Sequence, residues 1–144
     1  MTETFTAIKS ITIDVPAGKV WEALTKPELI KQYLLGTNVS SDWKVGSKIT
    51  YRGEWKGKTY EDKGEILQVI PNKLLQSTFW SGSSGMEDKP ENYVVVTYEL
   101  EETNGGTRVS VSQDRCPSRE ACKDSEENWG KVLEAMKRLL ENGS

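Results

Sequence analysis

Apolar and polar residues alternate at the start of the chain. Phe5, Ala7, Ile11, Ile13 and Val15 fall at odd positions in FTAIKSITIDV, the period of two expected of a half-buried strand. Pro16 then opens a short helical stretch with Val20, Trp21 and Leu24 at helical spacing. Pro27 restarts the chain as a second short helix, PELIKQYLL, whose apolar side is Ile30, Tyr33 and Leu34 and whose end is marked by Gly36. The period then returns to two. SKITYRGEW, YEDKGEILQVI, KLLQSTFW, NYVVVTYELEE and TRVSVSQ read as successive antiparallel strands. Turn chemistry separates them at Lys56-Gly57, Pro71-Asn72, the segment 81–92 and Asn104-Gly105-Gly106. Such short connections imply a meander rather than parallel crossovers.

The best-specified element comes last, in NWGKVLEAMKRLLE. Trp129, Val132, Leu133, Met136, Leu139 and Leu140 make one apolar stripe, so one face of this helix must lie on the sheet. Asp124 or Ser125 is the expected cap, Glu126 and Glu127 suit the N-terminal end of the dipole, and Lys137 and Arg138 suit the C-terminal end. Gly130 lies about 100° round from Trp129, at the flank of the stripe, where it would let a neighbouring strand or short helix approach. The order is thus strand, two short helices, further strands and a long helix, an α+β architecture with an antiparallel sheet of about six or seven strands. Gly53 and Gly64 sit inside strands; they mark either bends in the sheet or exposed positions that tolerate glycine. The segment SGSSGMEDKPEN is a hairpin loop or a lid.

Composition narrows the function classes. A chain of 144 residues is read as a single domain, 1–144. Its net charge of −3, with both signs interspersed, lacks the basic stripe that nucleic acid requires. The apolar runs are too short to span a bilayer, and the first ten residues resemble no export leader, so a cytoplasmic location is expected. Cys116 and Cys122, in CPSREAC, read as ordinary thiols, with a redox pair or metal half-site as the alternatives. There is no histidine, which removes the commonest general base near neutral pH and leaves no metal set, so neither a metal nor a cofactor is expected.

Several stretches resemble a known superfamily. VPAGKVWEALTKPELIKQYL resembles the opening of START-like, helix-grip (SRPBCC) proteins, where a strand leads through a proline-punctuated helix pair. Gly46, then Gly64, Ile66, Val69 and Pro71, then Trp80, resemble the branch grouped with the C-terminal domain of the activator of the heat-shock-protein-ninety ATPase. TRVSVSQ and NWGKVLEAMKRLLE are similar to its last strand and closing helix. The resemblance implies a helix-grip fold in which the long helix closes over the concave face of a curved sheet. It departs from the branch at Asn128, Trp129 and Gly130, where Gly-Trp is frequent, and at Gln113, where histidine is frequent.

For catalysis the residues offer little: no nucleophile motif, no phosphate loop and no metal-ligand spacing. Glu54, Glu61, Asp62, Glu65 and Glu99 read as solvent-facing charge, with an acid/base pair inside a cavity as the alternative. For binding they offer more. Five Trp and five Tyr carry apolar bodies with polar tips, useful where a pocket must both bury and orient a molecule. Ile49, Tyr51, Trp55, Phe79, Val95, Val109, Val111 and Gln113 are assigned to one sheet face. The expected cavity lining is Tyr33, Leu34, Tyr51, Trp55, Phe79, Val95, Val111, Gln113, Trp129, Leu133 and Met136, unless these simply fill a core. The leading reading is a non-catalytic protein that binds an apolar or aromatic small molecule. The alternative, implied by the resemblance, is an interaction module with a chaperone as partner; a cyclase- or hydrolase-type enzyme ranks third.

Overall fold

The computed structural model describes residues 5–34, 36–55, 57–81, 87–89, 92–116 and 118–142, and within them the side chains of Trp55, Ser81 and Asn142 are not described. These residues form strand β1 (Phe5–Ile13), helices α1 (Ala17–Thr25) and α2 (Pro27–Tyr33), then six strands and a final helix. The six are β2 (Asn38–Ser41), β3 (Lys48–Trp55), β4 (Lys58–Ile70), β5 (Leu74–Ser81), β6 (Val94–Thr103) and β7 (Gly106–Cys116). The closing helix is α3 (Arg119–Asn142). Every pairing is antiparallel, in the order β1-β7-β6-β5-β4-β3-β2, so the meander β2–β7 is completed by β1 at its far side. The fold is the α+β helix-grip architecture expected from the sequence. The strand without a segment of its own in the sequence reading is β2, four residues long and too short for an alternation to stand out.

The helix boundaries follow local chemistry. Pro27 occupies the first turn of α2, where a missing N–H costs nothing, and Gly36, at φ 86°, donates its N–H to the carbonyl of Lys31 and turns the chain out of the helix. The long helix begins earlier than Asp124 or Ser125. Ser118 is its cap, its Oγ accepting from the N–H of Ala121 at 3.1 Å and its carbonyl from the N–H of Cys122 at 3.1 Å. Cys122 lies seven residues before Trp129 and is itself buried, so the apolar stripe runs two turns further back than large hydrophobes alone suggest.

Two interior glycines allow close approach. A Cβ on Gly64 would overlap the carbonyl oxygen of Thr78 on β5, and one on Gly53 would overlap the Tyr60 ring across the β3–β4 pair. Both positions are closely approached by neighbouring atoms, which the tolerated-exposure reading does not account for. The ladder also shifts register between Ile66 and Gln68. The core gathers Ile13, Val20, Ile66, Val109, Val111, Leu133 and Met136 between sheet and helices, all at most 1% exposed. Each such large side chain contributes about 1.5–3 kcal/mol by leaving water.

α3 lies along β1 and ties down its free edge. Glu126 accepts from the N–H of Ile8 at 3.0 Å, and Glu141 accepts from the N–H of Asp14 at 2.8 Å. Lys137 donates to the Thr12 carbonyl at 2.8 Å and to Glu141 at 2.8 Å. The fifteen residues from Glu126 to Glu141 span about 22 Å of helix, and the six from Ile8 to Asp14 about 20 Å of strand. Helix and strand therefore run side by side with matched length, and two edge N–H groups, those of Ile8 and Asp14, are satisfied rather than left to recruit another strand.

Candidate functional site

Because α3 packs mainly on β1, it leaves the concave face over β3–β6 uncovered. An open cleft of about 580 Å³ results. Its walls come from four directions. α2 supplies Tyr33 and Leu34, and Thr37 follows them; β3 and β4 supply Tyr51, Glu54, Tyr60 and Asp62. β5 and β6 supply Ser77, Phe79, Val96 and Tyr98; α3 supplies Trp129, Lys131, Val132 and Ala135. The volume lies in the range of small-molecule sites, and the walls are apolar bodies carrying a few polar atoms.

The register explains why these side chains meet. Paired residues of an antiparallel ladder share a face. Tyr51 pairs with Asp62 and with Val39, and Gly53 with Tyr60, which puts that cluster on the concave side. Ser77 pairs with Val96, Leu75 with Tyr98 and Tyr98 with Val111, which carries the same side across to β7. Aromatic edges lock the walls: Tyr51 meets Phe79 edge-on with ring centres 5.7 Å apart, and Tyr98 meets Trp129 at 5.8 Å and 89°.

The polar atoms divide into those already engaged and those free to serve a guest. Tyr33 donates its hydroxyl to the Ala23 carbonyl at 2.7 Å, and Tyr60 shares a 2.5 Å hydrogen bond with Thr37. The indole N–H of Trp129 donates to Oε1 of Gln113 at 3.1 Å, which sets the plane of that ring. Tyr51 and Tyr98 line the cleft, and neither hydroxyl has a hydrogen-bond partner among the described residues. Burial, then the nearby Asp62 carboxylate, raises the Tyr51 phenol; burial, then Tyr51, raises that of Tyr98. Tyr33 is raised by burial and then by both of these neighbours. All three stay protonated at any physiological pH and act as hydroxyl donors.

Of the residues expected to line a cavity, Tyr33, Leu34, Tyr51, Phe79 and Trp129 stand around this cleft. Val111, Leu133 and Met136 lie instead in the filled core, at 0%, 1% and 0% exposure. The stripe on α3 is wide: Leu133 and Met136 face sheet and short helices, while Val132 and Ala135, on its other margin, border the cleft. Gln113 sits on the concave side beneath Trp129 and touches its indole rather than the open space. The Trp55 side chain, like residues 82–86, 90 and 91 of the expected loop or lid, lies outside the described residues.

Val95 is a correction. Val96, Tyr98 and Leu100 pair with Gln113, Val111 and Val109 and face inward, so Val95 faces the convex side, where its N–H donates to Asp114 at 2.7 Å. Three consecutive valines hide the phase of this strand. Its second half reveals it: Thr97, Glu99 and Glu101 are polar, Tyr98 and Leu100 apolar. That alternation, carried back, finds Val96 and Tyr98. Thr37, Tyr60, Ser77 and Lys131 had no such signal, being polar or isolated.

The carboxylates separate as well. Glu54, Glu61, Glu65 and Glu99 are exposed, Glu54 at the rim of the cleft and Glu61 paired with Arg52 at 3.0 Å, whereas half-buried Asp62 lines the cleft. Both cysteines are free and buried, against Ala7 and Phe5. Burial, then the neighbouring Cys116 thiol, pushes the Cys122 thiol up to about 11, so it is a poor nucleophile. Among the described residues no three His, Cys, Asp or Glu side chains gather as a metal site, and no helix is long and apolar enough to cross a membrane.

A curved antiparallel sheet gripped by a C-terminal helix, with a cleft between them, defines a START-like helix-grip protein. Residues 14–141 match the model of the family described as Activator of Hsp90 ATPase homolog 1-like protein, and the chain belongs to that family. The solution structure of a Cytophaga hutchinsonii protein is 47% identical, covering 96% of this chain and 95% of that one, with a TM-score of 0.85. A Mesorhizobium loti protein known by crystallography is 28% identical over 97% and 99% of the two chains, with a TM-score of 0.77. The Aha1 dimer of Colwellia psychrerythraea, at 20% identity over 97% and 98% and a TM-score of 0.76, shares the fold. No curated protein matches the chain at a significant level.

Proposed function

We propose that this protein binds a small, largely apolar molecule in the cleft between the concave sheet and α3, without transforming it. The observation that carries the reading is the wall itself: Leu34, Phe79, Val96, Val132 and five aromatic side chains with polar tips surround about 580 Å³. Glu54 and Asp62 border the cleft, yet no histidine, activated thiol or described metal cluster accompanies them. A binder therefore accounts for the residues better than a cyclase or hydrolase.

Titration with a panel of neutral apolar molecules, followed by backbone amide shifts, tests the reading. The expected result is saturable shifts concentrated on β3, β6 and the Trp129–Ala135 turns of α3, lost in Ala135→Trp, which projects an indole into the space. Shifts scattered over the surface, or none across the panel, would overturn it. The family description supports a second reading, a module that contacts a chaperone ATPase. Its test is copurification of such a partner from the native cell; no complex at cellular concentration counts against it.

A further inference from the structure

From the two unengaged hydroxyls in the cleft we infer that its guest is a neutral molecule bearing a carbonyl-type acceptor oxygen, such as a ketone, ester or lactone, rather than a carboxylate or a pure hydrocarbon. This rests on the binding reading above. Tyr51 on β3 and Tyr98 on β6 both line the cleft, each held by an edge-on ring contact, to Phe79 and to Trp129. Both rings are fixed, and both hydroxyls lack a partner among the described residues. The neighbouring cleft phenols, Tyr33 and Tyr60, have one each, in Ala23 and Thr37. A hydroxyl half-withdrawn from water without a partner carries a free-energy penalty that an acceptor on a guest removes.

The sign of the local charge selects among acceptors. Burial and the nearby acid keep the Tyr51 phenol protonated, so it offers a donor and no positive charge. Asp62, which pairs with Tyr51 on the concave face, lines the cleft and disfavours an anion there; Lys131 on α3 is the one cation among the described lining residues. A carboxylate guest would enter past a like charge to reach two neutral donors. A carbonyl guest meets the same donors without that repulsion. A hydrocarbon fills the walls and leaves both hydroxyls dry.

Three matched probes separate these cases: benzophenone, diphenylmethane and diphenylacetate, titrated against the whole protein by amide shifts. Benzophenone should bind about 5- to 50-fold more tightly than diphenylmethane, since each neutral hydrogen bond is worth about 2- to 10-fold in affinity. Tyr51→Phe and Tyr98→Phe keep each ring and should each lose about 2- to 10-fold for benzophenone, while diphenylmethane, which no longer leaves that hydroxyl dry, binds more tightly. Tyr33→Phe, whose hydroxyl is engaged by the backbone, should leave the ratio of the two affinities as in the parent. Equal binding of benzophenone and diphenylmethane at the cleft would overturn the acceptor-oxygen inference and leave the binding reading standing. So would tighter binding of diphenylacetate, abolished by Lys131→Gln. Absence of cleft shifts with all three probes would overturn both.

Discussion

Gly130→Ala is the substitution on which helix propensity and tertiary approach can be weighed against one another. An exposed interior glycine costs a helix about 1 kcal/mol relative to alanine. Against that gain stands one contact: a Cβ at Gly130 would lie 3.2 Å from Cε of Lys9 on β1. The neighbour is the far end of an exposed, flexible side chain, and a few tenths of an ångström of movement relieve the crowding. No backbone atom of β1 is within reach of the new methyl, so α3 keeps its place along the strand. Net stabilisation of about 0.5–1 kcal/mol follows, which for a chain of this size raises Tm by roughly 2–4 °C. Thermal unfolding and urea titration measure it, and an unchanged m-value shows that only stability moved. A drop in Tm that Lys9→Ala does not reverse would refute the reasoning, because it would mean that the helix axis itself had been forced off the sheet.

At Gly64 the same substitution should act in the opposite direction. The methyl would meet the Thr78 carbonyl, which no rotamer change can move, so the β4–β5 ladder must part; a loss of about 3 kcal/mol and a fall in Tm of roughly 6–12 °C are expected. A variant as stable as the parent would show that the bend does not need the close approach. The seal along β1 should be sensitive to acid. The Lys137 hydrogen bond and then the Asp14 N–H hold the Glu141 carboxyl below its ordinary 4.5. Its contribution is complete above that value and fades as pH falls through the lower folded one. Glu141→Gln should therefore lower Tm at pH 6, with the gap to the parent narrowing progressively as pH falls below 4.5; a gap independent of pH would exclude this origin.

The fold was readable because its signals are redundant. Odd-position hydrophobes in β1, the proline pair before α1 and α2, and the long stripe of α3 each specify an element alone, and their order admits few topologies. What escaped was phase and depth. In β6 apolar residues occupy both faces, so the misread phase placed Val95 inward and concealed Val96 and Tyr98. On α3, Leu133 and Met136 differ from Val132 and Ala135 only in which margin of one stripe they occupy. That margin depends on the helix lying toward β1, a tertiary fact carried by Glu126, Lys137 and Glu141 on the polar side, which a reading of hydrophobes passes over. Cys122, read as an ordinary thiol, is indeed free and buried; what went unread is that it extends the apolar side of α3.

The lacing of α3 along β1 also bears on how the chain acquires its shape. Ile8 is 118 residues from Glu126, and Asp14 is 127 from Glu141; β1 itself pairs with β7, Ile11 opposite Val109. None of these contacts can form until the far part of the chain is present, so β1 joins the sheet late, whereas β3–β6 can zip through neighbouring hairpins. Loop-closure entropy is spent before these distant contacts reward it, which places the molecule among the slower folders of its size. Until α3 arrives, the strand that begins the sheet keeps its outer edge bare.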